Sequence, residues 1–228
     1  MTITRVVGKN RTETMEPSEL TARAAHAKHT VVDLGTGDAH LAYTLATDHP
    51  DWLVIGIDAL DEPMGEIAHK ALRKPARGGR ENLLLLRASV EQLPDALTGI
   101  ADNVRVVLPW GALLEGIVLG NDDIVRGVAQ PLRQHGWLDI VLNGEMWAST
   151  PARFAHLPLP TPEYVAETIA PAFARSKVSL GAARWMRTDE TIQLHTTWAR
   201  KLSHGRGHPR FLVFGGVAAS RTGANTAT

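Results

Sequence analysis

The chain contains no cysteine among its 228 residues, which excludes disulfides, thiolate metal sites and cysteine nucleophiles. It also lacks any apolar run near the roughly 18 residues of a membrane-spanning helix. The N-terminal Met1-Thr2-Ile3-Thr4-Arg5 has no apolar segment of the signal-peptide kind. The expectation is a cytoplasmic protein with no membrane attachment and no metal. Net charge is absent as well. The 24 Lys and Arg balance 24 Asp and Glu, so the totals alone speak against a polyanionic partner. Aromatic residues are scarce at 5%, and each of the tryptophans therefore calls for a reason.

The distribution of charge tells a different story from its sum. Acids are missing from Ile67 to Arg80, where Lys70, Arg73, Lys74, Arg77 and Arg80 crowd together. None follows Glu190, yet Arg200, Lys201, Arg206, Arg210 and Arg221 lie beyond it. Two local basic patches on a neutral chain read as phosphate contacts, with two merely solvated faces as the plain alternative.

The most informative stretch is Val31-Val32-Asp33-Leu34-Gly35-Thr36-Gly37-Asp38. An apolar strand ends in an acid, and two glycines then let the backbone press against a ligand before a helix begins. A second apolar run, Trp52 to Ile57, ends in Asp58, placed to accept hydrogen bonds from ribose hydroxyls. A dinucleotide loop would show a third glycine where His40 or Leu41 stands, and Asp38 would oppose a pyrophosphate. An acidic Asp-x-Gly-x-Gly loop instead suits S-adenosylmethionine, which has no phosphate and carries an ammonium. A tight strand-to-helix turn without a ligand is the bland reading of the same residues.

Strand and helix patterns alternate along the chain, implying a single α/β domain over 1–217 with a mostly parallel, doubly wound sheet and helices on both faces. Arg5 to Asn10 reads as a strand or hairpin within an N-terminal extension (1–28), and Pro17 to Lys28 as a helix. Leu41–Thr47 and Pro63–Arg73 read as helices, Leu83–Leu86 and Val104–Leu108 as strands. Asp122–Arg133 reads as a helix stopped by Gly136, followed by a strand over Trp137–Leu142. Residues 143–162, with Pro151, Pro158, Pro160 and Pro162, break the rhythm and read as an inserted loop. Phe211–Val217 is a last strand and 218–228 a disordered tail.

Trp110 stands in Leu108-Pro109-Trp110-Gly111, where proline cannot continue a ladder and glycine permits an abrupt turn, so the indole is expected in the cleft. Trp198 is embedded in the C-terminal basic patch. Trp52, Trp137 and Trp185 are expected to fill core. A flipped purine between two indoles would gain about 1–3 kcal/mol per stacking contact, comparable to the few kcal/mol its extrusion costs.

Five motifs in their order and spacing close the case: Asp33 to Asp38, Lys74-Pro75-Ala76-Arg77-Gly78-Gly79, Glu91-Gln92-Leu93-Pro94, Leu108 to Leu114, and Trp198-Ala199-Arg200-Lys201-Leu202. From Arg5 to Gly215 the chain resembles the kanamycin–apramycin aminoglycoside-resistance 16S rRNA methyltransferases, which methylate N1 of adenine 1408. The resemblance implies a Rossmann-like class I S-adenosylmethionine-dependent methyltransferase with a seven-stranded sheet, working as a monomer on 16S rRNA in the 30S subunit. It implies that Asp33 and Gly35 line the methionine end of the cofactor, Asp58 its ribose, and Ala88 and Glu91 its adenine, with Gly37 also binding the cofactor. Val107 and Ala112 join that wall, and Thr196 also orients the loop of the second tryptophan. Trp110 and Trp198 would sandwich the target base, with the backbone of Leu108 and Pro109 at its amino edge. Lys70, Arg73, Lys74, Arg77, Arg200, Lys201 and Arg206 would grip rRNA, and His208 or Arg210 would steady the extruded nucleotide. The chain departs from the family pattern at Ala39, Ala112 and His208-Pro209. Another RNA or a small molecule as substrate, or a binding protein without turnover, remain the competing readings.

Overall fold

The computed structural model describes residues 2–144, 155–186 and 210–220. The strands are β1 (Ile3–Gly8), β2 (Arg11–Met15), β3 (His29–Leu34), β4 (Trp52–Asp58), β5 (Leu83–Arg87), β6 (Ala101–Val107), β7 (Leu132–Asn143), β8 (Val178–Leu180), β9 (Arg184–Trp185) and β10 (Phe211–Ala218). They form one sheet in the order β2-β1-β5-β4-β3-β6-β7-β10-β8, with β9 paired to β10. The core β5-β4-β3-β6-β7 is parallel throughout, and the pairings leave β1 and β10 running against the other strands. The sheet thus has ten strands among the described residues where seven were expected. The addition is the hairpin β1–β2, which docks antiparallel on β5, and the two-residue β9.

The helices are α1 (Pro17–His26), α2 (His40–Asp48), α3 (Gly65–Ala71), α4 (Gly111–Leu119) and α5 (Asp122–Ala129). A sixth, α6, runs over Pro162–Tyr164, widens into a π turn at Val165–Ile169 and resumes over Ala170–Arg175. Apolar residues alternating along the strands feed two layers, because successive side chains leave opposite faces of a sheet. Val32, Leu34, Ile55, Ile57, Val104 and Val106 meet α1, α4, α5 and α6 in the larger core. Val54, Leu83 and Leu85 meet α2 and α3 on the other face. No helix among the described residues is long and apolar enough to cross a membrane.

Three sequence expectations shift. The helix expected over Asp122–Arg133 stops at Ala129, because Pro131 offers no N–H and its ring crowds the preceding turn. Gly136 lies inside β7 instead of ending a helix. With His135 at φ 59 it forms a bulge between the Ala101–Leu132 and Asn103–Trp137 pairs. Trp137, expected in the core, is 47% exposed, and its indole N–H donates to Asp139 Oδ1 at 2.6 Å. Ala218, expected in the tail, pairs with Val178 as the last residue of β10, and 221–228 lie outside the described residues. Of the proline-rich 143–162 segment, 145–154 lie outside them too, while Leu157 is buried and Pro162 opens α6.

One side chain holds the end of α2 to the sheet. Asn82, just before β5, donates through Nδ2 to the carbonyls of Ala46, His49 and Trp52 at 3.0, 3.1 and 3.0 Å. Removing it takes a donor from three carbonyls, of which His49 O keeps the Trp52 N–H at 3.1 Å. Asn82→Ala should cost about 1–3 kcal/mol, read as a fall of several degrees in the thermal unfolding midpoint. An unchanged midpoint would refute the staple.

Candidate active site

The two acids singled out in the sequence sit on neighbouring parallel strands and do different work. Asp58, at the end of β4, accepts from the N–H of Gly37 through Oδ2 and from the N–H of Leu60 through Oδ1, both at 3.0 Å. The N–H groups of Gly35 and Thr36 in turn donate to Ile57 O at 2.8 and 3.0 Å. The loop after β3 is thereby tied at three points to the end of β4. Gly35 and Gly37 have φ of 71° and 57°, the left-handed region that side chains oppose. A Cβ on Gly35 would strike Leu113 at 2.8 Å, whereas one on Gly37 would meet nothing within 4 Å and stand in open space.

That open space is a cavity of about 430 Å³ beyond the carboxyl ends of β3, β4, β5 and β6. The chain winds outward from β3 in both directions, and the crevice at such a switch point is where open α/β sheets bind ligands. Of the residues expected to hold a cofactor, Gly35, Gly37, Asp58, Ala88, Glu91, Val107 and Ala112 line it. Among the described residues its wall carries the carboxylates of Asp38, Asp58 and Glu91 and no Lys or Arg. A pyrophosphate would meet only repulsion there, and a cationic ligand without phosphate fits. Asp58 keeps acceptor capacity for such a ligand, since a carboxylate offers about four lone-pair sites.

Asp33 is placed behind the wall, not on it. It is 2% exposed, accepts from the Thr36 hydroxyl at 2.6 Å, and lies beside Arg105 in the β3–β6 register. Burial pushes its carboxyl up to about 6, against the opposing pull of the Thr36 hydrogen bond and the Arg105 charge. Asp33 therefore touches the glycine loop from below, through the Thr36 hydroxyl.

Leu108 and Trp110 line the mouth of the cavity and Trp110 is 50% exposed, as its setting predicted. The turn that presents it is strained. Leu108 has φ 52, a conformation costing a bulky residue about 1–3 kcal/mol, and its N–H is held by Val141 O at 2.8 Å. Pro109 then breaks the ladder and α4 starts at Gly111. Sequence reasoning missed α4, whose signals were present: Gly120 at φ 64 ends it and Asn121 caps α5 by accepting from Asp123 and Ile124. It also missed Leu60 and Ser89 on the cavity wall. Leu60, 65% exposed, follows Asp58 by two in an Asx turn that the Asp-Ala-Leu order foreshadowed.

The first basic patch is one surface. Lys70 packs its ammonium 4.1 Å from the centre of the Tyr43 ring, Tyr43 donates to Gly78 O at 2.8 Å, and Arg73, Lys74 and Arg77 are exposed around them. Arg210 lies 4.1 Å over the Trp185 ring, holding both residues at the edge of β10. Thr196, Trp198, Arg200, Lys201, Arg206 and His208 lie outside the described residues.

Comparison with known proteins decides the family. The model of the NpmA family, 16S rRNA (adenine(1408)-N(1))-methyltransferase, matches residues 4–217. This chain belongs to that family. A 16S rRNA (adenine(1408)-N(1))-methyltransferase of Streptoalloteichus hindustanus is 37% identical over 202 residues, 89% of this chain and 93% of the relative. Another, from Escherichia coli, is 29% identical over 210 residues, 91% and 96% of the two chains. A crystal structure of a mutant of the enzyme from Catenulisporales acidiphilia with cosubstrate SAM superposes with a TM-score of 0.90 at 34% identity, covering 97% of this chain and 99% of that one. The structure of 16S rRNA methyltransferase KamB gives 0.86 at 33% identity, covering 95% and 100%.

The raised Asp33 pKa sets a pH signature for this family member. Below 3.8 folded and unfolded states are both protonated. Between 3.8 and about 6 the folded state alone keeps its proton, so stability falls as pH rises through that window. Asp33→Asn should therefore be more stable than the parent at pH 7.5, by on the order of 2–3 kcal/mol. Thermal unfolding followed across pH should show that advantage vanishing as pH falls from 6 to 4; a difference independent of pH would overturn the assignment.

Proposed function

We propose that this chain transfers a methyl group from S-adenosylmethionine to N1 of adenine 1408 in 16S rRNA of the assembled 30S subunit, and so confers aminoglycoside resistance. One observation carries the reading: a cavity beyond the parallel strands, walled by acids and by no Lys or Arg among the described residues, opens beside an exposed Trp110. When bound, S-adenosylmethionine supplies an electrophilic methyl group on a sulfonium. Asp58 receives the ribose, Ala88 and Glu91 face the adenine, and Gly35, Gly37, Val107 and Ala112 close around the remainder. Asp33, behind the loop, opposes the positive charge of the methionine end.

N1 of neutral adenine already presents a lone pair, so no residue needs to remove a proton and the chain accelerates the reaction chiefly by positioning. Trp110 forms one wall for the extruded base and Trp198 the other. The Leu108 and Pro109 carbonyls stand at the amino edge of the base, and Thr196 steadies the loop of Trp198. Aromatic walls also favour the base once it has become cationic. Lys70, Arg73, Lys74 and Arg77, with Arg200, Lys201, Arg206 and His208 or Arg210, dock the rRNA through phosphates. A single domain over 1–217 carries all of this, with the inserted segment running from the end of β7 to the start of α6, and the ribosomal substrate sets its place in the cytoplasm. Methylation adds bulk and charge where an aminoglycoside ring must hydrogen-bond.

Primer extension on treated 30S subunits should stop at adenine 1408. Trp110→Ala and Trp198→Ala should each lower methylation by at least about tenfold to a hundredfold, the loss of one stacking contact, and the double variant should be inactive. Calorimetry should find cofactor affinity nearly unchanged. A normally active double variant would refute the sandwich, and a stop elsewhere would move the substrate.

A further inference from the structure

The hairpin β1–β2 has no part in the site as built so far, yet its tip faces the helix that carries the first basic patch. The turn Lys9–Asn10 joins the strands, with Asn10 at φ 54, a conformation asparagine tolerates well. The tip rests directly on α3, since a Cβ on Gly65 would lie 2.7 Å from Lys9 Cα. Only a glycine lets the two backbones approach so closely. Lys9 and Arg11 are thus held opposite Lys70 and Arg73 across a groove of about 770 Å³.

Three features identify what the groove takes. Among the described residues Pro63 is its one bulky apolar lining residue, and His69 is its one ring with no Phe, Tyr or Trp beside it, so it suits an apolar peptide or a run of stacked bases poorly. Lys9, Arg11, Lys70 and Arg73 make no salt bridge among the described residues. Glu62 lies before α3 and Glu66 in its first turn, while Lys70 lies in its last turn and Arg73 just after it, so a polyanion is pushed toward Lys74 and Arg77. Pro63 also lines the acid-walled cavity, making the two spaces neighbours.

We propose that this groove is a second RNA-backbone site, in which Lys9 and Arg11 on the hairpin, Lys70 on α3 and Arg73 just after it hold consecutive phosphates of the strand flanking the extruded nucleotide. It rests on the rRNA reading above and extends it to a structural element that reading did not use. The N-terminal hairpin is then an RNA clamp as well as a sheet edge.

The test is binding of the full chain to 30S subunits between 50 and 200 mM salt, for the parent, a Lys9→Gln/Arg11→Gln variant and Glu66→Gln. The double variant should bind about fivefold to tenfold more weakly at 100 mM salt, and its slope of log affinity against log salt should be shallower by about one to two. Glu66→Gln should bind about twofold more tightly, while both variants retain the parent's cofactor affinity and unfolding midpoint. Parent-like affinity and slope in the double variant, with the parent methylating normally, would overturn the groove alone. A parent chain that leaves 30S subunits unmodified would overturn the functional reading and the groove together.

Discussion

The Asp58 carboxylate is the interaction on which the active face depends. One oxygen takes the N–H of Gly37 and the other that of Leu60, so a single side chain positions the loop after β3 and the turn after β4. Bonds to an ionised acceptor are stronger than neutral ones. Both loops would otherwise be solvent-facing segments with orphaned backbone donors. Gly35 and Thr36, bonded to Ile57 O, complete the join. A cavity wall assembled from two backbones locked together is preorganised, and a ligand entering it need not bear the entropy of ordering them.

Charge is segregated around that face. The carboxylates Asp38, Asp58 and Glu91 are on the cavity wall, with Asp33 buried behind it, while Lys70, Arg73, Lys74 and Arg77 are gathered on and after α3. A net charge of zero conceals the division, because opposite charges summed over the chain cancel while their fields at separate sites do not. The arrangement suits a reaction between a cationic donor and a polyanionic acceptor. Each meets its own complementary surface and neither is attracted to the other's.

Strain and close packing sit where the fold does its chemistry. Leu108 at φ 52 turns the chain abruptly after β6, so that Trp110 projects at the cavity mouth instead of continuing the ladder. Ala39, at φ 59 before α2, occupies a conformation glycine would adopt without cost, which gives a physical meaning to its departure from the family pattern. Its methyl group is fully buried among Ala42, Ala46 and Met64. Burying that methyl, worth about 0.8 kcal/mol, offsets part of the backbone cost of about 1–2 kcal/mol.

The glycine loop, the acid closing each of the first two parallel strands, the alternation of strands and helices, the basic cluster before Arg80 and the exposed Trp110 were all legible in the sequence. Each depends on local spacing or on a conformation that one residue type permits. Helix α4 was legible too through Gly120 and Asn121, and went unread because its apolar run carries little helical contrast. The tertiary structure alone decided matters that join distant residues. The hairpin's docking on β5, the bulge at His135–Gly136, the exposure of Trp137, the withdrawal of Asp33 behind the cavity wall and the facing of Lys9 toward α3 depend on which backbones approach in space. Periodicity along one segment carries no record of the partner it will meet, so the sequence set the chemistry available and packing set where it was delivered.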